Sequence, residues 1–345
     1  MNSKRHPQKL VRIALFATIT ALGASLLSGC TGSDEQATKV TELTIYSGRS
    51  EEFIAPFFQE WQESSGIMLN IRYGDSAELA AQILEEGKNS PADLFLSQDA
   101  GSLGAVADAQ LFTTLPDDVA KDIPAKFIAA NRNWVGVTGR ARVFAYNPTL
   151  TTLPQKISDL TSPMYKGALG IAPSNASFQA FVTALINEQG EAAAEKWLKS
   201  LKDNDVKIYP KNSAIVEAID QGEIQIGLVN HYYTWEVAEG LGREINVKNG
   251  FFASGDVGNL INVSGAGVLS SSKKYSAAHD LINFLTSQKV QNEFVAKTHE
   301  YSLLDGAIAP EGLPALSEIG APTIDLDALK KVKITQDLLV KVGLL

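Results

Sequence analysis

The sequence holds a single cysteine, Cys30, in 345 residues, so no disulfide can form within the chain. Histidine is nearly as scarce: there are four, and one of them, His6, lies close to the start. Neither a Gly-x-Ser-x-Gly elbow nor a His-Glu-x-x-His motif occurs, and a secreted hydrolase would need such a constellation to position its nucleophile or its metal-bound water. No acidic residue precedes Asp34. After Cys30 no apolar run reaches the roughly 20 residues that a membrane-spanning helix takes, so that part of the chain is expected to fold in water.

What the start does contain is ordered by charge and hydropathy. Lys4, Arg5, Lys9 and Arg12 precede an apolar run from Ile13 to Leu27. A basic opening followed by a run too short to cross a bilayer reads as a secretory leader, here residues 1–29. It closes on Leu27-Ser28-Gly29-Cys30, which resembles the lipobox of bacterial lipoproteins. Cys30 is therefore expected to be lipidated, the other reading being a small buried thiol. Acyl chains anchor a protein at about 0.8 kcal/mol per buried CH₂. Residues 30–40, polar and aperiodic, then form a lipidated tether. Removing the leader takes away four of the 30 Lys and Arg residues and none of the 39 Asp and Glu residues, which leaves an acidic excess of 13. Such a surface disfavours nucleic acid and anionic lipid, so membrane contact is expected through the anchor alone.

Beyond the tether, strand and helix signals alternate. LTIY (43–46) reads as a strand, and SEEFIAPFFQEWQESSG as a helix with Ser50 as N-cap, Gly66 as stop, and a kink or late start at Pro56. MLNIRY, a helix from Ser76 to Gly87, and DLFL continue the pattern; later come GIAP, two helices, VKIY, a helix after Asn212 and IQIGLV. Strands joined through helices build a mostly parallel sheet covered on both faces. Residues 41–345 exceed what one hydrophobic core usually serves, which favours two lobes.

In open α/β sheets ligands bind beyond the carboxyl ends of the strands. Four polar clusters fall there: Arg49-Ser50 after LTIY, Gln98-Asp99 after DLFL, Ser174-Asn175-Ala176-Ser177 after GIAP, and Asn230-His231-Tyr232-Tyr233 after IQIGLV. The last raises a geometric question, because neighbours on a strand point to opposite faces. Tyr232 and Tyr233 can share a target only if the strand has already ended. From the residues alone they are equally readable as core aromatics, or as one packed and one exposed.

Seven segments in order, YSGRS, EEGKNSPADLFLSQD, GRARVFAYNP, APSNASFQAF, YPKNSAIVEAIDQGEI, NHYYTW and GDVGNLINVSGAGVL, resemble the ferric-iron-binding proteins of bacterial ABC importers, the bacterial transferrins. The resemblance implies an α/β, two-lobed periplasmic-binding-protein fold of type II, with a central mixed, mostly parallel sheet in each lobe and a ligand cleft between. By analogy the chain crosses between lobes near Gly139–Tyr146 and again near Gly255–Gly267. Lobe 1 would be 41–140 plus about 260–310, and lobe 2 about 141–259 plus 311–345.

The same resemblance implies that Tyr232 and Tyr233 bind Fe³⁺ as phenolates. A free phenol has a pKa near 10, so the metal must displace its proton at neutral pH. His231 is read as a supporting or surface group and Tyr146 as packing. Relatives add a histidine, a glutamate or a third tyrosine where this chain has Ser50, Gln98 and Asn175. Two phenolates do not satisfy Fe³⁺, so donors are expected from a synergistic anion, carbonate or phosphate, or from Gln98, Asp99 or Asn175. Arg140 matches an arginine that contacts that anion, with a surface or hinge salt bridge as its other reading, and Arg49 is a further candidate. Ser174 to Ser177 lies at a helix N-terminus, where free N–H groups attract anions, and Asn212 and Asn230 match polar positions lining the anion pocket.

The expected function is thus a non-enzymatic, monomeric binding lipoprotein on the outer face of the cytoplasmic membrane, delivering ferric iron to an ABC permease. The alternative is a binding protein of the same fold for an organic anion or polyamine that contacts Tyr232 and Tyr233. If Cys30 carries the anchor, Cys30→Ala converts a membrane-associated protein into a soluble or unprocessed one. Fractionation after a high-salt wash reads this out, and a variant still pelleting with membranes would remove the anchor.

Overall fold

The computed structural model describes residues 40–345, so the leader, Cys30 and the tether up to residue 39 lie outside the described residues. The chain opens with β1 (Glu42–Ser47), α1 (Glu51–Ser65), β2 (Met68–Tyr73), α2 (Ser76–Glu86), β3 (Leu94–Ser97) and α3 (Ala100–Asp108). A twelve-residue strand, β4 (Val135–Tyr146), leads to β5 (Leu169–Ile171), α4 (Ala176–Gln189), α5 (Glu191–Asp203) and β6 (Lys207–Ile208). Then come α6 (Asn212–Asp220), β7 (Ile226–Asn230), α7 (Tyr233–Leu241), β8 (Lys248–Gly250) and β9 (Ile261–Val268). Helices α8 (Tyr275–Leu285), α9 (Gln288–Thr298) and α10 (Val332–Lys341) complete the α-helices and strands of the described residues.

Local chemistry accounts for the boundaries. Helix α1 follows Ser50 with Glu51 and Glu52 in its first turn, where carboxylates meet the positive end of the dipole, and stops at Gly66 with φ of 69°. Pro56 neither delays its start nor ends it. The face carrying Ile54, Phe57, Phe58 and Trp61 is buried in the core, and that burial, at about 2 kcal/mol per large apolar side chain, outweighs one lost backbone hydrogen bond.

The strands follow the order β2-β1-β3-β9-β4-β7-β5-β6, with β8 also beside β4. Each end of this path is a parallel trio, β2-β1-β3 and β7-β5-β6. The centre is antiparallel, because β9 pairs with both β3 and β4, and β4 with β7. Strand β4 changes partner along its length: Val135 to Ala141 pair with β9, and Arg142 to Tyr146 with β7. The register sets Arg140 opposite Asn262 and Arg142 opposite Asn230.

Strand β7 is held from behind by α6. A Cβ added at Gly227 would lie 2.1 Å from Ile215 Cγ2. Gly227→Ala is therefore expected to cost about 1–3 kcal/mol through overpacking. An unchanged urea midpoint would show that α6 is free to move away from β7.

Candidate metal centre

The two tyrosines sit where β7 gives way to α7. The strand ends at Asn230, and Tyr232 already has helical backbone angles (φ −71°, ψ −16°) ahead of Tyr233 at the first helical position. Successive side chains there diverge by about 100° rather than the 180° of a strand. The rings accordingly lie 4.6 Å apart between centroids, tilted by 32°. Tyr232 is buried and Tyr233 half-buried, and Asn230 Nδ2 donates to the Tyr232 hydroxyl at 3.5 Å. Burial, and then the neighbouring Tyr232 phenol, push the Tyr233 pKa well above its ordinary value.

His231, between strand and pair, is fully buried rather than at the surface. Its Nδ1 accepts from the Ala141 N–H at 3.2 Å, so Nε2 carries the proton and donates to the His299 carbonyl at 2.7 Å. The imidazole is thereby held neutral, with its pKa pushed down to about 4, chiefly by burial. It pins the turn, and with both ring nitrogens engaged it offers no free lone pair to a ligand. Tyr146 packs beside Phe144, ring centroids 5.8 Å apart, as a packing role requires.

Two cavities meet at the tyrosine pair. The larger, about 320 Å³, is lined by Arg140, Asn230, Asn262, Gln98 and Asp99 and by the start of α4. Ser174, Asn175, Ala176 and Ser177 all line it. Asn175 caps α4, its Oδ1 accepting from the Ser177 N–H at 2.9 Å, the Ser177 hydroxyl at 2.6 Å and Asn212 Nδ2 at 3.2 Å. That oxygen is committed to the helix end and is not a free metal donor. Asn212 is buried behind the cap, also donates to Ser177 Oγ at 3.1 Å, and leaves its own Oδ1 without a partner. Asp99 is similarly committed: its carboxylate caps α3 through the Ser102 N–H at 2.8 Å and hydroxyl at 3.0 Å.

The smaller cavity, about 180 Å³, is lined by Arg49, Ser50, Gln98, Glu236 and Glu300 together with both tyrosines. Ser50 makes no side-chain cap bond to α1, so its hydroxyl is available to the cavity. Burial raises the Glu236 pKa. Arg49 Nη2 donates to Glu300 Oε2 at 2.8 Å. The structure thus gathers every candidate named from the sequence between residues 49 and 233 around one pair of phenols, Asn212 from behind the wall. Among the described residues no three His, Cys, Asp or Glu side chains converge on a metal-sized site. Tyr232 and Tyr233 line both cavities and supply two adjacent oxygen groups to them.

Four residues at the site escaped the sequence reading: Arg142, Glu236, Asn262 and Glu300. Arg142 is fully buried, donating from Nη1 to Ser177 Oγ at 3.0 Å and from Nη2 to the Leu228 carbonyl at 2.9 Å. Its guanidinium lies over Phe178 at 5.6 Å. Burial pushes its pKa down to about 9, against the pull of the two phenols. A signal was present: in Gly-Arg-Ala-Arg on a strand, Arg140 and Arg142 share a face. Nothing local marks Glu300 or Asn262, which arrive from distant parts of the chain.

Residues 89–332 match the family model described as bacterial extracellular solute-binding protein. The chain is 30% identical over 342 residues to the Fe(3+)-binding periplasmic protein of Serratia marcescens, covering 97% of this chain and 99% of that relative. It is 31% identical to the major ferric iron-binding protein of Neisseria meningitidis, covering 88% and 94%. The crystal structure of iron-bound HitA from Pseudomonas aeruginosa superposes with a TM-score of 0.81 at 32% identity, covering 88% and 99%. The fold is the two-lobed α/β fold expected from the sequence.

Since Tyr232 and Tyr233 both line cavities while their rings pack on each other, Phe at either position should change the unfolding free energy of the metal-free protein by less than about 1 kcal/mol. A loss of about 3 kcal/mol or more in a urea titration would make them core aromatics instead.

Proposed function

This chain belongs to the bacterial extracellular solute-binding protein family, and we propose that within it the protein captures ferric iron outside the cytoplasm and delivers it to the permease of an ABC importer. The observation that carries this reading is the Tyr232–Tyr233 pair, ring beside ring at the junction of two cavities on a strand-to-helix turn. Phenolate is a hard anionic oxygen donor, suited to a small, highly charged cation. The relatives named for Fe(3+) and ferric iron support the same cargo.

Two phenolates leave about one positive charge on Fe³⁺ uncompensated. We assign the balance to a dianion, carbonate or phosphate, in the larger cavity, gripped by Arg140 and by the N-terminus of α4, with Asn230 orienting it. Gln98 and Ser50 are the remaining neutral donors whose side chains are not engaged elsewhere. Uptake displaces phenol protons, and the raised pKa of Tyr233 makes that displacement harder, so iron binding weakens as the pH falls. In this reading the lobes divide where β4 changes partner, lobe 1 being 41–140 plus about 260–310 and lobe 2 about 141–259 plus 311–345. Cys30 anchors a monomer to the outer face of the cytoplasmic membrane, periplasmic in a Gram-negative envelope and at the surface in a Gram-positive one.

The test is a ferric titration of iron-free protein in degassed, anion-depleted buffer, repeated with bicarbonate restored. A phenolate-to-iron charge-transfer band is expected only with the anion, and neither Tyr232→Phe nor Tyr233→Phe should develop it at the same iron concentration. Equal binding in both buffers would eliminate the anion. A colourless wild-type protein in both would turn the reading to an organic anion or a polyamine.

A further inference from the structure

We infer that Arg49 sets the affinity of the larger cavity for its anion by holding Glu300 away from Arg140. The inference rests on the anion reading above and names the residue that tunes it. All three side chains are buried: Arg49 is 6% exposed, Arg140 4% and Glu300 1%. Glu300 and Arg140 are neighbours by backbone geometry, because the Gly139 and Tyr301 main chains exchange hydrogen bonds of 2.8 and 2.9 Å. A buried carboxylate beside a buried guanidinium would ordinarily close into a direct ion pair.

It does not close. Glu300 Oε2 takes Arg49 Nη2 at 2.8 Å and the Thr298 hydroxyl at 3.3 Å. The contact to Arg140 is long, 4.0 Å from Nε to Oε1, and both of those atoms are buried without a hydrogen-bond partner. Two guanidiniums compete for one carboxylate, and Arg49, steadied over the Phe53 ring at 5.5 Å, holds it. The surplus positive charge therefore rests on Arg140, and of the two arginines Arg140 is the one that lines the larger cavity. Arg49 lines only the smaller one, so it acts on the anion through Glu300.

Opposite substitutions must then have opposite effects. Arg49→Gln releases Glu300 to pair with Arg140, and should weaken binding of inorganic phosphate to the iron-free protein roughly tenfold. Glu300→Gln removes the competitor and should tighten it. Calorimetric titration with phosphate reads both, with thermal melts confirming folding; Arg49→Gln alone suffices if Glu300→Gln does not fold, since Arg49→Gln leaves the carboxylate paired with Arg140. In an Arg140→Ala background the effect of Arg49→Gln should vanish. Wild-type phosphate affinity in Arg49→Gln overturns the inference, as does a loss that persists without Arg140, which would make Arg49 a direct anion contact. A wild-type protein that takes up no phosphate or carbonate at all overturns the anion reading beneath it as well.

Discussion

The structure depends on one strand changing partners. For its first half β4 is paired with β9, and from Arg142 onward with β7, so a single extended segment belongs to both halves of the sheet. Arg140 and Arg142 lie two residues apart and so leave the strand on the same face. The register sets Asn262 of β9 opposite the first and Asn230 of β7 opposite the second. The Gly139–Tyr301 backbone bridge adds Glu300 to the same place, and the His231 ring hydrogen-bonds the Ala141 N–H, fixing the turn that carries the tyrosines. Arg140, Arg142, Asn230, Asn262, Glu300 and the turn that carries the tyrosines thus all refer back to β4.

That arrangement concentrates positive charge beside the two phenols that we propose bind the cation. Arg49, Arg140 and Arg142 are all buried, and among the described residues Glu300 is the one carboxylate within ion-pair distance of them. Burying a guanidinium without a partner is costly, and Arg142 avoids this by donating to Ser177 and to the Leu228 carbonyl. Arg140 has no comparable partner and faces the cavity. A site so charged, with both phenols protonated, is a poor receptor for a bare trivalent cation and a good one for an anion. In the proposed mode of binding, an anion in the cavity and loss of the phenol protons reverse that balance. Capture as proposed is thus a redistribution of charge inside a cavity already shaped by the sheet.

Much of this was legible in the chain. The limits of α1 follow from Ser50, two glutamates and Gly66, and the burial of its Ile54–Trp61 face explains why Pro56 did not interrupt it. The placement of polar clusters after apolar runs anticipated residues that line the two cavities, because strand ends in an open α/β sheet deliver their next residues to one edge. The oxygens of Asp99 and Asn175 were readable as donors and turned out to be helix caps. Both readings fit the same residue types, since the short acceptor side chain that suits a cation also suits an unsatisfied backbone N–H. Only the position of the helix start distinguishes them. His231 was ambiguous for a similar reason: next to the tyrosines in sequence, it is turned into the core by the one-residue switch from strand to helix.

By itself the sequence determined the alternation of strands and helices, the acidic balance and the adjacency of the two phenols. Each of these is a local property, fixed by periodicity, capping chemistry or covalent order. Tertiary structure alone decided that the phenols point together, that Arg142 is buried while Arg140 stays available, and that Glu300 pairs with a residue 251 positions away. The physical reason is that these outcomes depend on which strand edge meets which. In an antiparallel register set by β4, residues far apart in sequence are brought within a hydrogen bond of one another, and only then does their shared charge acquire a direction.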